Sequence, residues 1–229
     1  MRALMNFIAI EGLDGAGKST QVALLQQRLQ RLGARCKYLH FPQITSKIWG
    51  ELIARFLRGD LGKIDEVNPY LVALLYAEDR RAAADEIRGW IEEGYFVIVD
   101  RYVYSNVAFQ CAKLSDAGER GKLREWILHL EYERFKIPKP QLSLFLDVPF
   151  SFTQEKLSGR RDGDDRQYLD GKEDIHEADL DFQQRVRSVY LAQQTLDPDF
   201  CIITCYSEQG EMLEPDGTFS KIINKINFP

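Results

Sequence analysis

Residues Gly12-Leu13-Asp14-Gly15-Ala16-Gly17-Lys18-Ser19 match the pattern G-x-x-x-x-G-K-[ST] at every fixed position. The match constrains the fold because it has physical meaning only between a strand and a helix, and both flanks are present. Phe7-Ile8-Ala9-Ile10 is a short apolar run ending in Glu11, as in a buried parallel strand. Behind the loop, Val22, Leu25, Leu29 and Leu32 recur at helical spacing. Glycines let such a loop close around a polyphosphate with its N–H groups pointing inward, and the helix brings its positive end to the same point. Lys18 can then reach the β- and γ-phosphates, and the Ser19 hydroxyl can sit on Mg²⁺. A glycine-rich turn that matches by chance needs neither flank. The stretch therefore predicts a bound nucleoside triphosphate, held by Gly12, Gly15, Ala16, Gly17, Lys18, Ser19 and Thr20.

The remaining chain alternates strand and helix. Cys36–Phe41 predicts a second strand broken by Pro42, and Ser46–Leu57 a short amphipathic helix ended by Gly59. An alanine-rich helix is expected from about Pro69 to Glu93, closed by Gly94. Phe96–Asp100 and Leu142–Asp147 are fully apolar runs ending in a carboxylate, hence buried central strands, with helical material through Phe135 between them. The charged stretch 158–177 reads as a mobile surface segment. A helix from about Glu177 to Thr195, a strand Phe200–Thr204 and a helix from about Phe219 to Ile226 complete the series. The pattern predicts an α/β three-layer fold with a parallel sheet of about five strands, residues 1–229 forming one domain. Ligands gather beyond the carboxyl ends of such strands. The loop, Phe41, Asp100-Arg101 and the segment after Asp147 are thus expected around one cleft.

Composition narrows the classes. A net charge of −5 argues against a general nucleic-acid binder, and no stretch approaches the ~20 apolar residues of a membrane span. Cys36, Cys111, Cys201 and Cys205 form no CxxC pair and read as reduced thiols, so a soluble cytoplasmic protein is expected. The guanine-reading Asn-Lys-x-Asp of GTPases is missing, and the chain is short for motor or transporter ATPases. What remains is a small kinase that passes the γ-phosphoryl group to a second small molecule.

Four pieces of sequence, in order, resemble the thymidylate kinase family of P-loop nucleoside monophosphate kinases. They are the loop with Asp14 inside it, Leu74-Leu75-Tyr76-Ala77-Glu78-Asp79-Arg80, Asp100-Arg101-Tyr102 followed by Ser105 and Ala108-Phe109-Gln110, and the segment bearing Arg160, Arg161 and Arg166. The resemblance implies an ATP:dTMP phosphotransferase that uses Mg²⁺, binds no nucleic acid or membrane, and forms a homodimer. The rival readings are a kinase for another (deoxy)nucleotide or deoxynucleoside, and an inactive nucleotide-binding regulator.

Roles follow from the same resemblance. Asp14 would accept from the 3′-hydroxyl of dTMP, unless it is an exposed turn residue. Asp100, with Ser19, would hold Mg²⁺; the alternative is an ion pair with Arg101. Arg101 suits the acceptor's phosphate, a task for a bidentate guanidinium. Tyr76 and Arg80, four apart on one helical face, would stack on thymine and bond its carbonyl, whereas a bare aromatic on a helix is more often core. Gln110 and Asn106 would face the base, Phe109 would exclude a 2′-hydroxyl, and Phe41 would line the pocket or simply pack. One branch of the family carries a catalytic arginine after the loop's acid; here that position is Gly15, so the lid at about 158–177 would supply it, with Arg160 the first choice. The family's acid or arginine after the second strand is replaced here by Pro42-Gln43-Ile44-Thr45, with Arg55 as a candidate substitute. That departure bears on dTMP selectivity rather than on kinase chemistry.

Overall fold

The computed structural model describes residues 5–158, 168–172, 174–176 and 179–228. Its centre is a five-stranded parallel sheet built from β1 (Phe7–Gly12), β2 (Cys36–His40), β3 (Phe96–Asp100), β4 (Leu142–Asp147) and β5 (Phe200–Thr204), in the order β2-β3-β1-β4-β5. Every residue of β1, β3 and β4 is buried, which explains why these strands read as continuous rather than alternating apolar runs. Side chains still alternate between two cores. Phe7, Ala9, Val97, Val99 and Phe145 enter one, and Ile8, Ile10, Ile98, Leu144 and Leu146 enter the other.

The first core is covered by α3 (Pro69–Glu92), α4 (Val103–Cys111), α5 (Ala117–Leu128) and α7 (Leu180–Leu196). The second is covered by α1 (Lys18–Arg31) and α8 (Pro215–Ile223). A smaller cluster joins α2 (Trp49–Leu57) to α3 through Ile53, Phe56, Leu57 and Val72. Beyond α5 the chain continues as one π-helical stretch, His129–Arg134, a distortion often found at functional sites. Strand order reverses at β1, so the cleft expected at a switch point opens beside it, with Asp100 in register with both Ile10 and His40.

Several boundaries differ from the sequence reading. The last helix begins earlier, at Pro215, whose ring suits a first helical turn. The helix expected from Glu177 begins at Leu180, capped by Asp179, which accepts from the Phe182 N–H at 2.9 Å. Helix α6 (Phe150–Ser158) is an element that the sequence pattern does not predict. Asp147 itself does not line the cleft, its carboxylate being held by Arg187 at 2.7 Å and by Tyr206, whereas Tyr168, Asp174 and His176 of the segment that follows do. The described part of 158–177 is surface only in part: Asp170, Gly171 and Lys172 are exposed, whereas Leu169, Asp174 and His176 are buried, and Tyr168 and Ile175 pack against the cluster of α2. Among the described residues all four cysteines are free, and no helix is long and apolar enough to cross a membrane.

Candidate active site

A cleft of about 970 Å³ lies at the carboxyl ends of β1, β2 and β3. It is lined by Asp14–Ser19, by Tyr38–Thr45 from β2 and the turn after it, by Tyr76 and Arg80 of α3, and by Asp100, Arg101, Ser105, Asn106, Phe109 and Gln110. Leu57, Tyr168, Asp174 and His176 complete it. Three residues expected at the site do not line it. Gly12 lies beneath the loop, where a Cβ would stand 3.2 Å from that of Ala16, so it permits the loop's closure. Thr20 is exposed on α1, and Arg55 points outward because α2 buries the opposite face, Ile53, Ala54, Phe56 and Leu57. Arg160, Arg161 and Arg166 lie outside the described residues.

The loop takes its shape from two left-handed glycines, Gly15 at φ 76° and Gly17 at φ 78°, the second immediately before α1. Lys18 Nζ donates back to the carbonyls of Gly12 and Leu13, at 3.3 and 3.0 Å. Burial and the nearby Arg101 charge push its pKa down, against the pull of Asp100, Asp14 and Glu11. Asp100 closes β3 with one oxygen 3.4 Å from His40 Nδ1 and the other, Oδ1, buried with no hydrogen-bond partner among the described residues. Burial alone would raise its pKa, but Lys18, His40 and Arg101 together hold it below the ordinary carboxylate range.

Arg101 follows in a left-handed backbone, φ 62°, a conformation that costs a side-chain-bearing residue free energy and collects at working sites. Its N–H is fixed by the Ile10 carbonyl at 2.9 Å, which turns the side chain into the cleft. There Nη2 meets Asp14 Oδ1 at 2.7 Å and Nη1 meets Ser105 at 3.4 Å. Arg101 thus pairs with Asp14 and not with its neighbour Asp100. Beneath it sits Glu11, fully buried, bonded by Ser105 at 2.5 Å, Tyr190 at 3.2 Å and the Tyr102 N–H at 3.0 Å. Desolvation raises the Glu11 pKa despite these bonds.

Tyr76 and Arg80 share one face of α3, as their spacing requires, and both line the cleft. Arg80 is otherwise interior, and its Nε and Nη2 form a bidentate pair with Glu131 of the π stretch at 2.5 and 2.6 Å. Asn106 Nδ2 donates to the Ala73 carbonyl and to Glu131, both at 2.9 Å, leaving Oδ1 buried and unpartnered among the described residues. Gln110 is fully buried with neither amide atom bonded. Buried polar atoms are rarely left this way, so Asn106 and Gln110 keep hydrogen-bonding capacity to spare at the cleft.

Phe109 presses on Arg101, whose guanidinium carbon stands 5.2 Å from the ring centre, and on His176, ring to ring at 5.0 Å. His176 is packed among Phe56, Phe109 and Phe182, and burial together with Lys113 and Arg101 pushes its pKa well below the usual value. It is a neutral imidazole whose Nε2 has no partner among the described residues. The turn Pro42–Thr45, which departs from the resembling family, is anchored by Asp79, which accepts from the Gln43 N–H at 2.9 Å.

Sequence reading missed Glu11, His40, Glu131 and His176. Glu131 carried one faint signal: it continues the i, i+4 stripe of the buried Leu123 and Ile127 into what should have been core. His176 had none, since it stands in a charged stretch.

A family model described as thymidylate kinase matches residues 10–214. A thymidylate kinase from Mycobacterium tuberculosis is 34% identical over 183 residues, covering 80% of this chain and 83% of its own. A probable thymidylate kinase from Pyrobaculum aerophilum is 33% identical over 190 residues, covering 82% of this chain and 83% of its own. The solved structure of thymidylate kinase from Candida albicans superposes with a TM-score of 0.71 at 26% identity, covering 98% of this chain and 92% of its own.

Proposed function

Given that the chain belongs to the thymidylate kinase family, we propose that its cleft carries out the transfer of the ATP γ-phosphoryl group to dTMP, giving dTDP. The observation that carries this reading is the joining, in one cleft, of a phosphate-shaped loop to a wall of Tyr76, Arg80, Asn106 and Gln110 that holds buried, unmatched hydrogen-bonding atoms. The loop amides and Lys18 grip the donor's phosphates. Lys18 is released for this from the Gly12 and Leu13 carbonyls, which a bound phosphate outcompetes for an ammonium.

The acceptor oxygen belongs to a phosphate that is anionic at neutral pH, so no general base is needed; alignment and neutralisation of charge do the work. Arg101, kept aligned by Asp14 and Ser105 and charged because Asp14, Tyr190, Asp100 and Glu11 together outweigh the desolvation of its guanidinium, clamps the acceptor's phosphate. The pair also brings the Asp14 carboxylate, which can accept more than one hydrogen bond, next to the acceptor's sugar. Tyr76 stacks on the base, Arg80, Asn106 and Gln110 bond its edge, Phe109 fills the space of a 2′-hydroxyl, and Phe41 packs behind.

Mg²⁺ suits the residues present, because the orphaned Asp100 Oδ1 and the exposed Ser19 hydroxyl border the loop as a pair of oxygen donors. When bound there it would offset negative charge on the donor's phosphates. Arg160, with Arg161 and Arg166, supplies the remaining positive charge from a lid at about 158–177 of a single kinase domain. A homodimer in the cytoplasm, without nucleic-acid partners, completes the reading, which rests here on family membership.

A panel of dTMP, dUMP, dCMP, dGMP and the ribonucleotide, with coupled detection of ADP, tests it. The expected result is fastest turnover with dTMP, lost in Lys18→Ala with the fold intact. Preference for another acceptor, or ordinary activity in Lys18→Ala, would overturn the assignment.

A further inference from the structure

We propose that Glu131 sets the hydrogen-bond polarity with which the cleft reads its base, by fixing the Asn106 amide and the Arg80 fork in one arrangement; this rests on the acceptor reading above. The carboxylate is wholly buried and makes three short bonds, two to Arg80 at 2.5 and 2.6 Å and one from Asn106 Nδ2 at 2.9 Å. Both partners line the cleft, whereas Glu131 does not. It acts through them and is a positioning residue.

The polarity depends on which way round the Asn106 amide lies. Asn106 Nδ2 is committed twice, to Glu131 and to the Ala73 carbonyl at 2.9 Å. Flipping the side chain would break both bonds and set Oδ1 against an anion. Oδ1 therefore stays as an acceptor, buried and without a protein partner. Arg80, with two N–H groups spent on Glu131, has the other donors of its guanidinium left to offer. The two cleft-lining residues, joined through Glu131, thus offer a donor from Arg80 and an acceptor from Asn106. That pattern complements a base whose carbonyl stands next to a ring N–H, as in thymine or uracil. Cytosine shows the reverse, an amino group next to a bare ring nitrogen, and would set donor against donor and acceptor against acceptor. Sites that hydrogen-bond a substrate in this way reject the mismatched analogue strongly, because their own buried groups are left unpaired.

A mere counter-ion for Arg80 would affect stability and leave base choice alone, which separates the two roles. Glu131→Gln keeps shape but puts an NH₂ group where one of three donors was received. The expected result is a fall of at least tenfold in the dTMP-to-dCMP ratio of kcat/KM, carried mainly by a raised KM for dTMP, with kcat within about threefold of the parent. Folded E131Q with a ratio within twofold of the parent, whatever its melting temperature, would overturn the proposal. Should E131Q fail to fold, Glu131→Asp is read by the same ratio, since it keeps the charge under Arg80 but withdraws it by one methylene. A parent enzyme that does not prefer dTMP over dCMP would instead refute the acceptor reading beneath it.

Discussion

Lys113 is a charge placed where none is welcome, and replacing it by methionine should stabilise the protein. It follows α4, with its N–H bound to the Gln110 carbonyl and its Nζ 4.6 Å from the centre of the Phe56 ring. The amine is buried with no hydrogen-bond partner among the described residues, and desolvation lowers its pKa from 10.5 to about 7. Between those two values the unfolded chain holds a proton that the folded one has shed, so stability rises with pH across this window. Below about pH 7 both states are charged and the folded state carries the whole penalty. At about 1.4 kcal/mol per pH unit, the ceiling is about 5 kcal/mol. Loss of the cation–π contact with Phe56 returns about 0.5–2 kcal/mol. The net gain for Lys113→Met at pH 6 is therefore at most about 3–4.5 kcal/mol. For a chain of this size that is roughly 6–18 °C in Tm. Thermal unfolding by circular dichroism, without nucleotide, at pH 6, 8 and 10 measures it, with the gain shrinking as pH rises. A variant no more stable than the parent at pH 6, or a gain that ignores pH, would refute the reasoning. Turnover should be unchanged, because Lys113 lines no part of the cleft.

Two further outcomes are expected. Phe109→Ala should raise the relative kcat/KM for the ribonucleotide about tenfold in a competition assay, at a stability cost of about 3–5 kcal/mol for the lost ring; unaltered sugar preference would free Phe109 from that role. Arg160→Ala should lower kcat by about 10³ or more with a much smaller rise in KM, and an unchanged kcat would pass the task to Arg161 or Arg166.

Local order was the part legible in the chain. The Gly12–Ser19 loop announces itself because its glycines, lysine and serine are neighbours in sequence, and β1, β3 and β4 because burial on both faces demands unbroken apolar runs. Tyr76 and Arg80 could be placed on one face because a helix fixes that by spacing alone. The buried carboxylate that ties Arg80 to Asn106 could not be seen, because that trio is assembled across distance: Glu131 lies 51 residues from Arg80 and 25 from Asn106, and only packing of α3, α4 and the π stretch brings them together. The same holds for Arg55, whose outward turn depends on which face of α2 is buried, and for His176, which three aromatic rings enclose only once distant segments meet. Sequence determined the donor's cradle, since one strand, one turn and one helix suffice to build it. Tertiary structure decided how Arg80 and Asn106 are held at the cleft, since the buried Glu131 carboxylate acquires them as partners only when distant segments close around it.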